Sequence, residues 1–313
     1  MNNCAWLGIF KDDENIVLQE VLTATGLISI ILGLWLNLTL VASNLRRNSS
    51  YNNLTNFTLA TLMRRIVSVI PQLPLIKHLA STYGFEGEFC ECFAFMETFL
   101  AVFEVECLTH VCIERYVVAK FVTNGWTISR AHYYLFLSLC FLFAFTYSLP
   151  PLFGFGHYGY DFTCTTCTFD MILPDSWDKY FIISVFMLRS VKPSLVMITM
   201  LIWARMLERQ YVSSDKSRDL VRFTRNVAKI TAVNLICWTP IAAIRGWVIL
   251  SQILFAEPIL AVPVFYIQWA MWIHWGAPAA TVLALLIVDR RVRSEMFFCS
   301  KNGSYSSRPN KAD

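Results

Sequence analysis

The 313-residue chain is 56% hydrophobic and only 15% charged, with a formal net charge of +4. Its mean hydropathy of +0.50, and a charged share well below the roughly 25% of soluble domains, exclude an ordinary water-soluble globular protein. The small positive excess is gathered in short loops, so it reads as a membrane-topology signal and gives no reason to expect a nucleic-acid partner.

Seven apolar segments, at 17–44, 54–80, 91–119, 131–155, 177–207, 221–251 and 258–288, have the length of helices that cross about 30 Å of hydrocarbon. A spanning helix satisfies its own backbone hydrogen bonds, so the sequence predicts an all-α, seven-transmembrane helix bundle in a lipid bilayer. Ahead of the first segment, Lys11, Asp12, Asp13, Glu14 and Asn15 make an acidic flank. A signal peptide begins basic, so this helix is expected to be retained. Loops then alternate. Arg46 and Arg47, Lys120 and Arg130, Arg205 to Arg225, and Arg290, Arg291 and Arg293 fall on one side. Glu86, Glu88, Glu91, Asp161, Asp170, Asp175, Asp178 and Glu257 fall on the other. By the positive-inside rule the amino terminus is outside and the tail cytoplasmic. The sequons at Asn48, Asn53, Asn56 and Asn302 then lie inside or within the membrane and are predicted to be unglycosylated.

Cys90, Cys92, Cys164 and Cys167 fall at the outer face, where they can oxidise, whereas Cys107, Cys112, Cys140 and Cys237 sit within helices as packing. In the third segment Glu97 and Glu104 are seven residues apart and share a helix face, while Glu106 is rotated away toward a neighbouring helix. A carboxylate at this depth is expensive. Glu97 is therefore either a ligand contact, one that would favour a cation, or a structural partner of Arg64, Arg189, Lys192 or Arg245. His274 and the series Trp269, Trp272, Trp275 are expected to pack or to line the membrane interface. The chain holds no internal repeat, no phosphate loop, no metal-spaced Cys/His cluster and no constellation at catalytic spacing. No enzyme, metal site or catalytic residue is expected.

Three motifs carry more. Glu114-Arg115-Tyr116 ends the third segment, with Cys90 about seven turns earlier. The sixth contains Cys237-Trp238-Thr239-Pro240, where the proline kinks the helix. Leu149-Pro150-Pro151-Leu152-Phe153-Gly154-Phe155 precedes Cys164-Thr165-Thr166-Cys167-Thr168-Phe169-Asp170. Together they resemble the rhodopsin-like (class A) G-protein-coupled receptors, closest to the opsin branch, over about residues 17–299, with weaker matches at Asn37 and Pro193.

The resemblance implies several roles. Cys90 would be tied to Cys167 in a plug-like second outer loop, although Cys164 leaves the pairing open, with Cys92 a candidate partner for it. Glu114, Arg115 and Tyr116 would guard the site of a heterotrimeric G protein, and Pro240 would be the switch. Trp238 would floor a ligand cavity, and Asp161 would be a loop carboxylate near the ligand. Residues 1–16 would be an extracellular terminus and 17–288 the receptor domain. Residues 289–299, with Arg290 to Phe298, would form an amphipathic helix on the inner leaflet, Cys299 would be open to palmitoylation, and 300–313 would be a disordered tail.

The departures matter as much. Opsins bind retinal through a lysine of the seventh helix. Here Met271 or Trp275 takes that place, depending on register, and no lysine occurs between Lys229 and Lys301. An imine needs an amine, so covalent retinal is excluded there and no cofactor is expected. The middle acid of the second helix is replaced by about Met63, and the fifth-helix tyrosine by Leu201. The expected function is a plasma-membrane receptor that passes the signal of a small-molecule ligand to a G protein. The alternatives are a photoreceptor with noncovalent retinal, or a transporter or channel. The last would need paired broken helices, a symmetry that Pro71, Pro74, Pro240 and Pro278 lack.

Overall fold

A computed structural model describes residues 14–45, 52–69, 86–121, 129–160, 167–169, 176–210, 215–255, 264–288 and 293. Among them are seven long helices: α1 (Glu14–Leu45), α2 (Asn52–Val69), α3 (Glu86–Phe121), α4 (Arg130–Ser148), α5, α6 (Asp215–Phe255) and α7 (Val264–Val288). Helix α5 runs unbroken through Ser176–Phe186, a π turn at Met187–Val191 and Lys192–Glu208. A two-stranded antiparallel hairpin, β1 (Tyr158–Tyr160) and β2 (Cys167–Phe169), pairs Tyr158 with Phe169 and Tyr160 with Cys167. Helix α3 is central and packs on α2, α4, α5 and both strands, while α1 and α6 flank α7.

The outside of the bundle is apolar. Ile28, Ile31, Trp35, Leu142, Leu195, Ile236 and Ile287 are all exposed, as a hydrocarbon surround permits. The inside holds two apolar clusters. One joins Leu54, Phe57, Phe103, Leu108, Val111, Leu201, Val227 and Ile230. The other joins Ile30, Ile182, Val185, Ile241, Val248, Met271 and Trp275 beneath Phe169 of β2. A charged layer lies where they meet. Helices α1 and α7 approach closely at Gly33, where a Cβ would stand 3.2 Å from the Ala279 nitrogen and 3.3 Å from Pro278 Cβ. Beside it the Asn37 amide donates to the carbonyls of Gly33 at 2.7 Å and Pro278 at 3.3 Å.

Several boundaries differ from the sequence expectation. The fourth helix was expected to run to 155, but Pro150 and Pro151 have no N–H to extend the ladder. The chain leaves α4 at Ser148, makes a single 3-10 turn over Pro150–Phe153 and turns at Gly154, whose φ of 86° is left-handed. The π turn was not foreseen. Pro193 cannot donate to the Arg189 carbonyl, and the ladder slips so that the Lys192 N–H reaches back to Met187. Met63 is 46% exposed and faces out of the bundle, so it does not replace an inward acid; Thr61, Arg64 and Arg65 are buried beside it. Of the predicted amphipathic helix at 289–299, only Arg293 is described. Asp161, Cys164, Cys299 and the tail at 300–313 also lie outside the described residues.

Candidate ligand cavity and inner arginine

Helix α3 supplies a polar axis that α2 completes. Glu97 and Glu104 share a face as expected, and both turn to Arg64. Its Nε donates to Glu97 Oε1 at 2.8 Å and its Nη1 to Glu104 Oε2 at 2.8 Å. The Thr61 hydroxyl donates to the other oxygen of Glu104 at 2.8 Å. Arg64 is only 2% exposed, and an ion so far from water persists because opposite charges and hydrogen-bond acceptors surround it. Of the partners open to Glu97, the structure forms the one with Arg64. The second oxygen of Glu97 is buried with no hydrogen-bond partner among the described residues. Glu106, rotated away, takes Lys192 of α5 at 2.9 Å, whose ammonium also stands 4.5 Å from the centre of the Phe143 ring.

Arg64 has a third bond, from Nη2 to His274 Nε2 at 3.1 Å. A guanidinium has no acceptor, so Nε2 accepts and the imidazole proton is on Nδ1. That nitrogen is buried with no hydrogen-bond partner among the described residues. His274 also meets Trp238 edge to face at 5.8 Å between centroids. The Trp238 ring has the Arg64 and Arg189 guanidinium carbons 5.7 and 5.9 Å from its centre, within cation–π range.

These side chains surround a cavity of two lobes. The first has Trp238, His274, Arg64, Arg189 and Arg245 among its walls, with Ile182, Val185, Ile241 and Ile249 as apolar lining. The second shares the three arginines and His274 and adds Arg65, Glu97, Met271 and Trp275. Met271 and Trp275, the two candidates for the missing lysine, thus both reach the cavity wall, and neither is an amine. Phe169 of β2 closes one lobe, and Cys167 and Thr168 border the other. The strand is held there by the Cys90–Cys167 disulfide, with Cα atoms 5.4 Å apart. Cys92 is exposed and free. Tyr158 of β1 donates to the Ser148 carbonyl at 2.6 Å. Burial pushes its hydroxyl well above the usual range, so it stays a donor.

At the other end of α3, Arg115 is 5% exposed and bonded to the carboxylate of the adjacent Glu114. Phe223 of α6 caps it, the guanidinium carbon lying 4.5 Å from the ring centre. Thr224 of α6 bonds Glu208 of α5, and Tyr116 stacks near Trp203 at 5.6 Å. Trp238 and Pro240 lie on α6 between the two ends. The structure therefore places Glu97 and Trp238 at the cavity and Glu114, Arg115 and Tyr116 toward the opposite end of α3. The cavity residues Arg64, Arg189, Arg245 and His274 had been expected only as ion partners or packing. The signal for the three arginines was their place inside apolar spans.

Residues 34–276 match the family model described as the 7 transmembrane receptor (rhodopsin family). The chain belongs to the rhodopsin family. It is 23% identical over 255 residues to "Rhodopsin, GQ-coupled" of Mizuhopecten yessoensis, covering 74% of this chain and 50% of that one. It is 24% identical over 244 residues to pinopsin of Gallus gallus, covering 76% and 69%. The chain thus spans about half the length of the Mizuhopecten relative. The squid rhodopsin crystal structure superposes with a TM-score of 0.71 at 15% identity, over 89% of this chain and 85% of that one, and the likeness is one of fold. This rhodopsin-family chain is accordingly a multi-pass membrane protein of the opsin branch.

Proposed function

We propose that this rhodopsin-family protein is a G-protein-coupled receptor of the plasma membrane, with its amino terminus outside. A small molecule in the cavity above Trp238 shifts α6 about Pro240, and Arg115, released from Glu114 and Phe223, engages a heterotrimeric G protein. The observation that carries this reading is the inner lock: a buried Arg115 held by its own neighbour and capped by a ring of α6. Movement of α6 would uncover a cation that is ion-paired with its own sequence neighbour. Helix α7 contains no lysine, so the ligand is held without an imine.

Arg115→Ala should abolish nucleotide exchange on the G protein while the unfolding midpoint stays within a few degrees of the wild type. Undiminished exchange by the folded variant would remove the receptor reading. The opsin relatives favour one second reading, a light receptor that holds retinal without a covalent bond. Retinal added to the purified protein would have to co-elute with it on gel filtration, and illumination of that complex would have to change nucleotide exchange.

A further inference from the structure

We infer that the first lobe of the cavity binds an apolar molecule ending in a carboxylate, with its charged end on Arg189. The lobe has three guanidinium groups, Arg64, Arg189 and Arg245, and no carboxylate among its described lining residues. The two nearby acids are committed, since Glu97 and Glu104 both bond Arg64, and Glu97 lines only the second lobe. Glu97, offered by the sequence as an anchor for a cation, already faces one.

Arg189 stands apart. It is 8% exposed, and among the described residues no carboxylate lies within ion-pair distance of it. Its contact is with the Trp238 ring, at 5.9 Å, and it sits within the π turn of α5. A buried guanidinium with five donors and one aromatic face for company is an incomplete site. His274 Nδ1–H is a second buried donor in the same wall that lacks a hydrogen-bond partner. The groups that need completing in this lobe are therefore donors, and they require an acceptor with negative charge. A planar carboxylate matches the guanidinium fork, and Ile182, Val185, Ile241 and Ile249 supply walls for a hydrocarbon body. A cationic ligand would meet three like charges.

The inference takes the cavity to be the ligand site of the receptor reading, yet binding can be measured without coupling. The full chain, purified in an uncharged detergent and chloride-free buffer, is titrated with two acid and alcohol pairs of equal body, retinoate with retinol and tetradecanoate with tetradecanol. Affinity is read from the rise in unfolding midpoint. At least one acid should bind about tenfold or more tightly than its alcohol, the factor expected of one charge-assisted bond. That preference should vanish in Arg189→Gln, while Arg189→Lys keeps part of it. Equal affinities within both pairs would overturn the proposal, as would an acid preference that survives in Arg189→Gln. Chloride alone producing the same Arg189-dependent rise would overturn it too, in favour of an inorganic ion. Acid binding without nucleotide exchange would sink the receptor reading and leave the anion site standing. Arg115-dependent exchange with no acid preference would do the reverse.

Discussion

Replacing Arg64 with methionine tests the charged layer, because it removes the cation while keeping an unbranched apolar stem. Two charge-assisted hydrogen bonds at 2.8 Å are lost, to Glu97 and Glu104. Each such bond contributes about 1.5–3 kcal/mol. Glu97 keeps a side-chain exposure of 22% against 6% for Glu104, so its share belongs at the low end. Removing one member of a buried ion pair costs about 3–5 kcal/mol by the general rule, most of it from the carboxylate left without its partner. The two routes agree on about 4 kcal/mol, a large part of the roughly 5–15 kcal/mol that holds a domain folded. The assay is equilibrium unfolding in mixed micelles with a denaturing detergent, for Arg64→Met, Glu104→Gln and the double variant. Once Glu104 is neutral, the methionine strands less charge, and the double variant should be more stable than the sum of the single losses by about 1–3 kcal/mol. A loss under about 1 kcal/mol for Arg64→Met, or strict additivity in the cycle, would refute the account of Arg64 as the stabilising centre of this layer.

Three further outcomes are expected. Cys167→Ser frees a loop that the disulfide closes across 77 residues and should lower stability by about 2–5 kcal/mol; an unfolding midpoint insensitive to reductant in the wild type would contradict this. Gly33→Val places a branched side chain against the backbone of Ala279 and should cost about 1–3 kcal/mol by overpacking, measured by thermal unfolding beside Ala24→Val as a control on the same helix. Incubation with retinal followed by borohydride should leave Lys192 unmodified by mass spectrometry, because that ammonium is engaged by Glu106 and lies outside the cavity lining; a stoichiometric retinyl adduct on it would restore the pigment reading.

The seven helices were legible because length and hydropathy are local properties, and the Cys90 to Cys167 bridge was legible from two motifs, although Cys164 stood three residues from the second end as a rival. Helix ends and the π turn were not. A proline removes one donor, and whether the ladder stops, as at Pro150, or slips, as before Pro193, depends on what the neighbouring turn can reach. Seven-residue spacing put Glu97 and Glu104 on one face, but choosing Arg64 among four candidate cations required the rotation of α2 about its axis. The same rotation turned Met63 outward. His274 was read as packing because an isolated histidine in a tryptophan-rich segment gives no sign of its partners; only the fold brings Arg64 to its ring. Asp161 lies outside the described residues, so its expected place near the ligand stays a sequence expectation.

The break at Pro278 gives the bundle a division of labour. Proline cannot donate to the carbonyl four residues earlier, which belongs to His274, and Arg65 Nη2 approaches that oxygen at 3.5 Å. The next arginine back, Arg64, holds the same residue by its ring. Two successive side chains of α2 thus clasp α7 at one residue, one on the main chain and one on the imidazole, and Arg64 carries the clasp onward to α3. Helices α2, α3 and α7 become a single chassis, from which no member rotates without breaking bonds to another. Helix α6 joins that chassis through lighter couplings, the aromatic edge of Trp238 and the Asn234 amide on the Thr281 hydroxyl at 3.1 Å. Spin labels on α2 and α7 should therefore keep their separation when ligand is added, while a label on the inner end of α6 changes its distance to both.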